Sequence, residues 1–270
     1  MARIGFCQFQ PRFGHVGQNL QQVGTALRQV TADLVVLPEL AFTGYYFRGR
    51  DELRYLAEDP RHSTTVDSLI SICRERHLYL VAGFAERHLD RLFNSALLIG
   101  PGGLVHTYRK IHLFGTEKAC FDAGDTPLQV SQVGGMRIGM MVCFDWIFPE
   151  VARTLALRGA DLICHPANLV LTYCQQAMVT RCIENVVFAV TANRYGTEHR
   201  PHGSLTFTGQ SQIVAPRGAL VYRSSADRDD LFIAEVDPGL ARDKGIAEHN
   251  DIIADRRPEF YQELCTRSVA

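Results

Sequence analysis

The chain has little of what would mark a nucleic-acid-binding, membrane-bound or secreted protein. Neither charge is in excess: 28 Lys and Arg stand against 29 Asp and Glu, a net charge of −1 in 270 residues. With no basic footprint, nucleic acid is not an expected partner, and no Lys/Arg run is long enough to suggest a membrane surface. Apolar runs fall short of the roughly 20 residues that span a bilayer, and the stretch from Met1 to Gln10 lacks the layout of a signal peptide. The eight cysteines are irregularly spaced, with no C-x-x-C pair, which fits neither a disulfide framework nor a zinc site. No His/Cys/Asp cluster has ligand spacing, so neither a metal nor a cofactor is expected. The expected compartment is reducing and cytoplasmic.

What is present is a hydrophobic content of 46%, enough to bury a core as one domain or two tightly fused halves. Periodicity predicts strands over Arg3 to Phe9, Leu34 to Leu37, Leu78 to Phe84, Arg137 to Val142, Asp161 to Cys164, Phe188 to Asn193 and Leu231 to Val236. It predicts helices over Asn19 to Thr31, around Val66 to Cys73, and over Pro149 to Arg158 and Gln175 to Val187. Two Gly/Pro turns, Gly100 to Gly103 and Pro216 to Gly218, predict hairpins. The aromatic, Gly-bearing segment Ala41 to Arg50 reads as a pocket-lining loop, and Arg109 to Thr126 as a long functional connection. From Pro238 on, the chain is charged and has too little apolar surface for a core of its own.

Two short sequences recur in order. Arg3-Ile4-Gly5 returns as Arg137-Ile138-Gly139, and Ala32-Asp33-Leu34-Val35 as Ala160-Asp161-Leu162-Ile163, with Pro38 and Pro166 following at equal spacing. An internal duplication is the better reading. Parallel strands of one βαβ unit end on the same sheet edge. Glu39 and Cys143 each lie just past such a strand, so sheets packed face to face would bring them to one cleft.

Cys143 stands where a buried strand stops and Pro149 opens a helix. Free backbone N–H groups there can lower a thiol pKa and hold a developing oxyanion. The competing reading is a small buried apolar residue, the usual fate of a cysteine outside disulfides. A thiol, a carboxylate base and an ammonium together form a set that can attack an sp² or sp carbon and stabilise the resulting charge.

Three segments carry a family resemblance: Pro38-Glu39-Leu40, Tyr108-Arg109-Lys110-Ile111-His112-Leu113, and Cys143-Phe144-Asp145 through Phe148-Pro149-Glu150. In order and spacing, from Ile4 to about Arg257, they resemble the signatures of the nitrilase superfamily, the carbon–nitrogen hydrolases. The resemblance implies an α/β fold, a four-layer α-β-β-α sandwich of two duplicated halves, over residues 1–257. Residues 258–270 are then a tail docking on a partner subunit, and a homodimer or higher homo-oligomer is expected. It also implies Glu39 as general base, Lys110 as oxyanion stabiliser, Cys143 as nucleophile and Glu117 as a second glutamate orienting substrate. The Phe144 N–H would complete the oxyanion hole. Tyr45, Trp146 and Asn168 are the further candidates for substrate binding. His112 and His165 invite a Cys–His reading, but beside a glutamate base they are expected to be structural. Arg194 and Arg200 are the cations that could meet a second carboxylate on a substrate.

The function implied is cofactor-free hydrolysis of a small amide, a non-peptide C–N bond, through a thioester acyl-enzyme. The first alternative is an aliphatic nitrilase using the same thiol; the chain has Phe144-Asp145 where dedicated nitrilases often have Trp-Glu. The remoter alternative is a non-catalytic interaction protein on this fold.

Overall fold

In the computed structural model, which describes residues 1–266, fourteen principal strands and six helices follow the chain in two matching rounds. The first round is β1 (Ala2–Gln8), α1 (Val16–Leu27), β2 (Leu34–Val36), α2 (Arg50–Leu56), α3 (Thr64–Arg76), β3 (Tyr79–His88), β4 (Arg91–Gly100) and β5 (Gly103–Arg109), with a short α4 (Glu117–Cys120) after it. The second is β6 (Val130–Val133), β7 (Met136–Met140), α5 (Pro149–Leu157), β8 (Leu162–Ala167), α6 (Cys174–Asn185) and β9 (Phe188–Asn193). A hairpin of β10 (Tyr195–Arg200) and β11 (Gly203–Thr208) precedes β12 (Gln212–Val214), β13 (Leu220–Arg223) and β14 (Asp230–Val236). The predicted strands and helices are all there. Sequence periodicity missed α2, α4, β6 and the β10–β11 hairpin.

One sheet has the order β14-β1-β2-β3-β4-β5 and the other β6-β7-β8-β9-β12-β13. In each, a parallel trio is flanked by antiparallel strands. The duplication extends to side chains. Arg3 donates its backbone N–H and guanidinium to Asp33 at 2.7 and 3.1 Å, and Arg137 does the same to Asp161 at 2.9 and 2.7 Å. Each aspartate carbonyl then receives the first N–H of the next strand, from Tyr79 and Phe188, both at 2.9 Å.

Period-two alternation builds the layers. Ile4, Phe6, Leu34 and Val36 face the second sheet, whereas Cys7, Val35 and Leu37 face Val23 and Leu27 of α1 and Leu69 and Cys73 of α3. Strands β1, β2 and β3 lie against β8 and β9, and α5 and α6 cover the outer face of the second sheet. The result is the four-layer α-β-β-α sandwich. Each fully buried Leu, Val or Phe contributes roughly 1.5–3 kcal/mol, and both faces of the central strands supply them.

Local signals set the helix ends. Ser63 caps α3 by accepting the Val66 N–H, and His77 closes it in a left-handed conformation. Pro149 opens α5. Helix α1 begins and ends one turn earlier than predicted. Asn19 is buried inside it, exchanging hydrogen bonds with the Arg12 backbone and donating to the Phe42 carbonyl.

Strand β8 runs on through His165-Pro166-Ala167, where sequence reading placed a strand end. Pairing to β9 continues to Asn193, while pairing to β7 stops at Cys164. On that unpaired side the missing N–H of Pro166 costs nothing.

The tail returns over α5, with Ile252, Tyr261 and Leu264 lining one groove with Arg153 and Leu157. Of the expected tail segment, residues 267–270 lie outside the described residues. No helix among the described residues is long and apolar enough to cross a membrane.

Candidate active site

Strands β1, β2 and β3 are parallel, as are β7, β8 and β9, so each trio ends on one edge of its sheet. Strand β5 runs in the sense of β3 because two antiparallel steps separate them, and it ends on the same edge. Glu39 follows β2, Lys110 follows β5, Cys143 follows β7 and Asn168 follows β8. The topology thus delivers a carboxylate, an ammonium and a thiol to one place.

All are buried: Glu39 is 0% exposed, Lys110 1%, Glu117 4% and Cys143 5%. Lys110 Nζ donates to Glu39 Oε1 at 2.8 Å and to Glu117 Oε1 at 2.7 Å. Asn94 Nδ2 adds a second contact to Glu39 Oε1 at 2.7 Å, while Glu39 Oε2 has no partner among the described residues. Glu117 also accepts the Tyr45 hydroxyl at 2.7 Å and, on its other oxygen, the Phe114 N–H at 3.1 Å.

Desolvation alone would lower the Lys110 pKa, but the charges of Glu117 and Glu39 more than offset it, and the lysine stays an ammonium. Glu39 is raised above the usual carboxylate range, by burial first and by Glu117, with Lys110 opposing. One ammonium facing two carboxylates leaves room for one proton nearby.

The thiol lies in the same field. Burial pushes the Cys143 thiol well up, Glu39 adds to the rise, and Lys110 and the Asn168 backbone N–H only partly offset it. The sequence expectation of a lowered thiol pKa is therefore reversed. Desolvation and two nearby carboxylates outweigh the dipoles at a strand–helix junction.

Cys143 begins a 3₁₀ turn, Cys143–Ile147, with a left-handed backbone at φ 42°. A non-glycine residue held there stores roughly 1–3 kcal/mol of strain, which surrounding contacts must hold.

The remaining candidates divide between the site and its walls. Tyr45 reaches Glu117 through its hydroxyl, and Asn168 Nδ2 donates to the Glu39 carbonyl at 2.8 Å. Phe144 is half-buried among Phe114 and Phe148, with ring centroids at 5.0 and 5.6 Å. Trp146 lies in the core, edge-on to Tyr173, and its carbonyl accepts from Arg181 Nε at 3.2 Å.

His165 Nε2 meets the Cys143 carbonyl at 2.9 Å; a carbonyl only accepts, so Nε2 carries the hydrogen and Nδ1 is left to accept from Thr191. Burial lowers its pKa to about 4. Both ring nitrogens are committed, which leaves no role as a base.

Arg194 and Arg200 are not free for a substrate carboxylate. Arg194 is buried, paired with Glu198 at 2.5 Å and bonded to the Pro11 carbonyl, and Arg200 pairs with Glu52. Glu198 in turn accepts the backbone N–H groups of Tyr45 and Tyr46. The unpredicted hairpin therefore holds the loop that presents Tyr45.

Two glycines were also missed. A Cβ on Gly83 would lie 2.4 Å from Glu39 Cα, and one on Gly124 would lie 2.1 Å from the Arg109 carbonyl oxygen. Close backbone packing around Glu39 and Lys110 requires both. Nothing in their local sequence marks them, because the atoms they admit lie far away in the chain. Among the described residues, no group of three or more His, Cys, Asp or Glu is arranged to hold a metal ion.

The chain is similar to known proteins. The sequence profile of the family described as carbon-nitrogen hydrolase matches residues 3–244. A protein of Pyrococcus abyssi named nitrilase is 42% identical over 264 residues, covering 97% of this chain and 99% of its own length. An (R)-stereoselective amidase of Pseudomonas sp. is 34% identical, covering 94% of this chain and 91% of its own. Among solved structures, a mutant of the amidase from Nesterenkonia sp. AN1 matches with a TM-score of 0.81 at 25% identity, covering 98% of this chain and all of that one. That structure shows the result of Michael addition of acrylamide at its active site cysteine.

Proposed function

Since the chain belongs to the carbon–nitrogen hydrolase family, we propose that it cleaves a small amide through a thioester on Cys143, releasing ammonia and a carboxylic acid. The observation that carries this reading is the buried Glu39–Lys110–Glu117 array whose charges act on the Cys143 thiol.

In the proposed cycle, Glu39 takes the thiol proton as sulfur attacks the carbonyl carbon. Lys110 and the Phe144 N–H stabilise the oxyanion, and Glu39 returns the proton to the leaving nitrogen. Water activated by Glu39 then cleaves the thioester. Glu117, held by Lys110, Tyr45 and the Phe114 N–H, keeps the ammonium in place and orients substrate. Tyr45, Phe144, Trp146 and Asn168 are proposed to shape the pocket. With Arg194 and Arg200 both paired, a neutral aliphatic amide fits better than a substrate with a second carboxylate.

The second reading, a nitrilase, draws support from the 42% identical relative of that name. Ammonia release from propionamide and from propionitrile, by wild type and by Cys143→Ala, tests both. We expect the amide to turn over faster and Cys143→Ala to be folded and inactive. Residual turnover within tenfold of wild type would reject the thiol mechanism, and faster acid formation from the nitrile would select the second reading.

We further infer a homodimer, formed through α5 and α6 with the tail from residue 258 docking on the partner, in a reducing, cytoplasmic compartment. Leu157, Ile183, Phe260 and Leu264, each more than 40% exposed, support the interface.

A further inference from the structure

The nucleophile and the ammonium arrive on different segments, the turn after β7 and the chain after β5. One side chain joins the two. Asp145 lies two residues beyond Cys143 and is completely buried. Its Oδ2 accepts the Val142 N–H at 2.9 Å and the Tyr108 hydroxyl at 2.7 Å. Its Oδ1 accepts from His112 twice, from the backbone N–H at 3.3 Å and from ring Nδ1 at 2.8 Å. An ionised carboxylate only accepts, so Nδ1 is the nitrogen that carries hydrogen.

The placement of these donors is informative. Val142 immediately precedes Cys143. Tyr108 and His112 stand two residues to either side of Lys110, the one in β5 and the other in the bend that follows it. The carboxylate therefore holds the nucleophile turn and both flanks of the lysine, without touching Glu39 or Glu117. The left-handed backbone of Cys143 makes an external brace necessary, because local preference alone would not keep the turn in that shape.

We propose that Asp145 is a positioning residue, which sets the separation of the Cys143 thiol from the Lys110 ammonium. The inference rests on reading Cys143 as nucleophile and Lys110 as its oxyanion partner. Four donors converge on the carboxylate, and a neutral amide in its place would turn its own N–H groups toward some of them. Substrate contacts stay in place while the reacting groups lose register, so the loss falls on kcat and leaves KM nearly unchanged.

The test compares Tyr108→Phe, Asp145→Asn and the double variant with wild type, using propionamide turnover and thermal melts. In parallel, iodoacetamide alkylation of Cys143 is followed by peptide mass in the free enzyme. Tyr108→Phe should lose about tenfold in kcat with KM within about twofold, and Asp145→Asn about a thousandfold. The double variant should be no worse than Asp145→Asn, and Cys143 alkylation should slow by about fivefold or more in each.

Additive losses, or Tyr108→Phe with kcat and alkylation both within about twofold of wild type, would overturn the proposal. Tyr108→Phe loses only a hydroxyl, so it decides the matter alone if Asp145→Asn does not fold. Alkylation needs no substrate, so a wild type inactive on propionamide would count against the amide reading while this brace is still measured.

Discussion

The Tyr45 hydroxyl does a job that its aromatic surroundings do not suggest. It donates to Glu117 Oε1, the same oxygen that receives Lys110, so it helps fix the carboxylate that fixes the ammonium. A hydrogen bond to a charged group contributes about 1.5–3 kcal/mol. Tyr45→Phe should therefore lower kcat by roughly ten- to a hundredfold, with KM changed far less. Steady-state kinetics on the preferred amide reads this directly, and a loss confined to KM would return Tyr45 to a simple pocket wall.

His165 supplies a second residue-scale expectation, in stability. Burial lowers its pKa from 6.5 to about 4, so between those values the unfolded chain binds a proton that the folded chain refuses. Stability from this group is intact above pH 6.5 and declines as pH falls toward 4, by on the order of 3 kcal/mol in all. His165→Gln can keep the bond to the Cys143 carbonyl without titrating. Melting curves from pH 4 to 7 should show a shallower acid slope for His165→Gln, and parallel slopes would refute the assignment.

Among the elements, β3 is the one whose packing places Glu39. Gly83 donates its N–H to the Pro38 carbonyl at 3.2 Å and lies against Glu39 itself. An added methyl would meet three backbone atoms at 2.4 to 2.6 Å, none of which can swing aside as a flexible side chain would. Gly83→Ala should cost about 1–3 kcal/mol of stability and should also reduce kcat, since Glu39 must shift. A melt and a kcat measurement on the same sample check this, and unchanged kcat in a destabilised protein would mean that Glu39 tolerates the shift. The β10–β11 hairpin acts at the same scale: its Glu198, buried and paired with Arg194 just before β10, holds the backbone of Tyr45 and Tyr46.

For the whole molecule, the open question is how its exposed apolar faces are covered. Phe260 and Leu264 are about two-thirds exposed although they lie in the segment that returns over α5. A dimer through α5 and α6 would cover them, and light scattering at micromolar concentration should give twice the 30.2 kDa chain mass. Deletion of residues 258–270 should weaken that assembly. A monomer throughout would reject the interface, and an unaltered dimer after deletion would remove the tail from it.

Much of this protein is already determined by its sequence. Period-two strands, the repeated Arg-Ile-Gly and Ala-Asp-Leu segments and the residues just past strand ends are local patterns. From them follow two similar halves and the meeting of Glu39 and Cys143 at one edge, while the four layers and the place of Lys110 came with the family resemblance of the three motifs. The clearest misses were short or polar elements. Strand β6 has four residues, and the β10–β11 hairpin is rich in Thr, His and Ser, with too little apolar alternation to stand out.

Only the tertiary structure decided how the site is braced and charged. Tyr45 meets Glu117 across 72 positions of sequence, Glu198 meets Tyr45 across 153, and Asp145 meets Tyr108 across 37. The direction of the Cys143 pKa was likewise beyond the local motif. It depends on how completely folding removes water from the thiol and on which distant charges folding brings beside it, and in this fold desolvation wins.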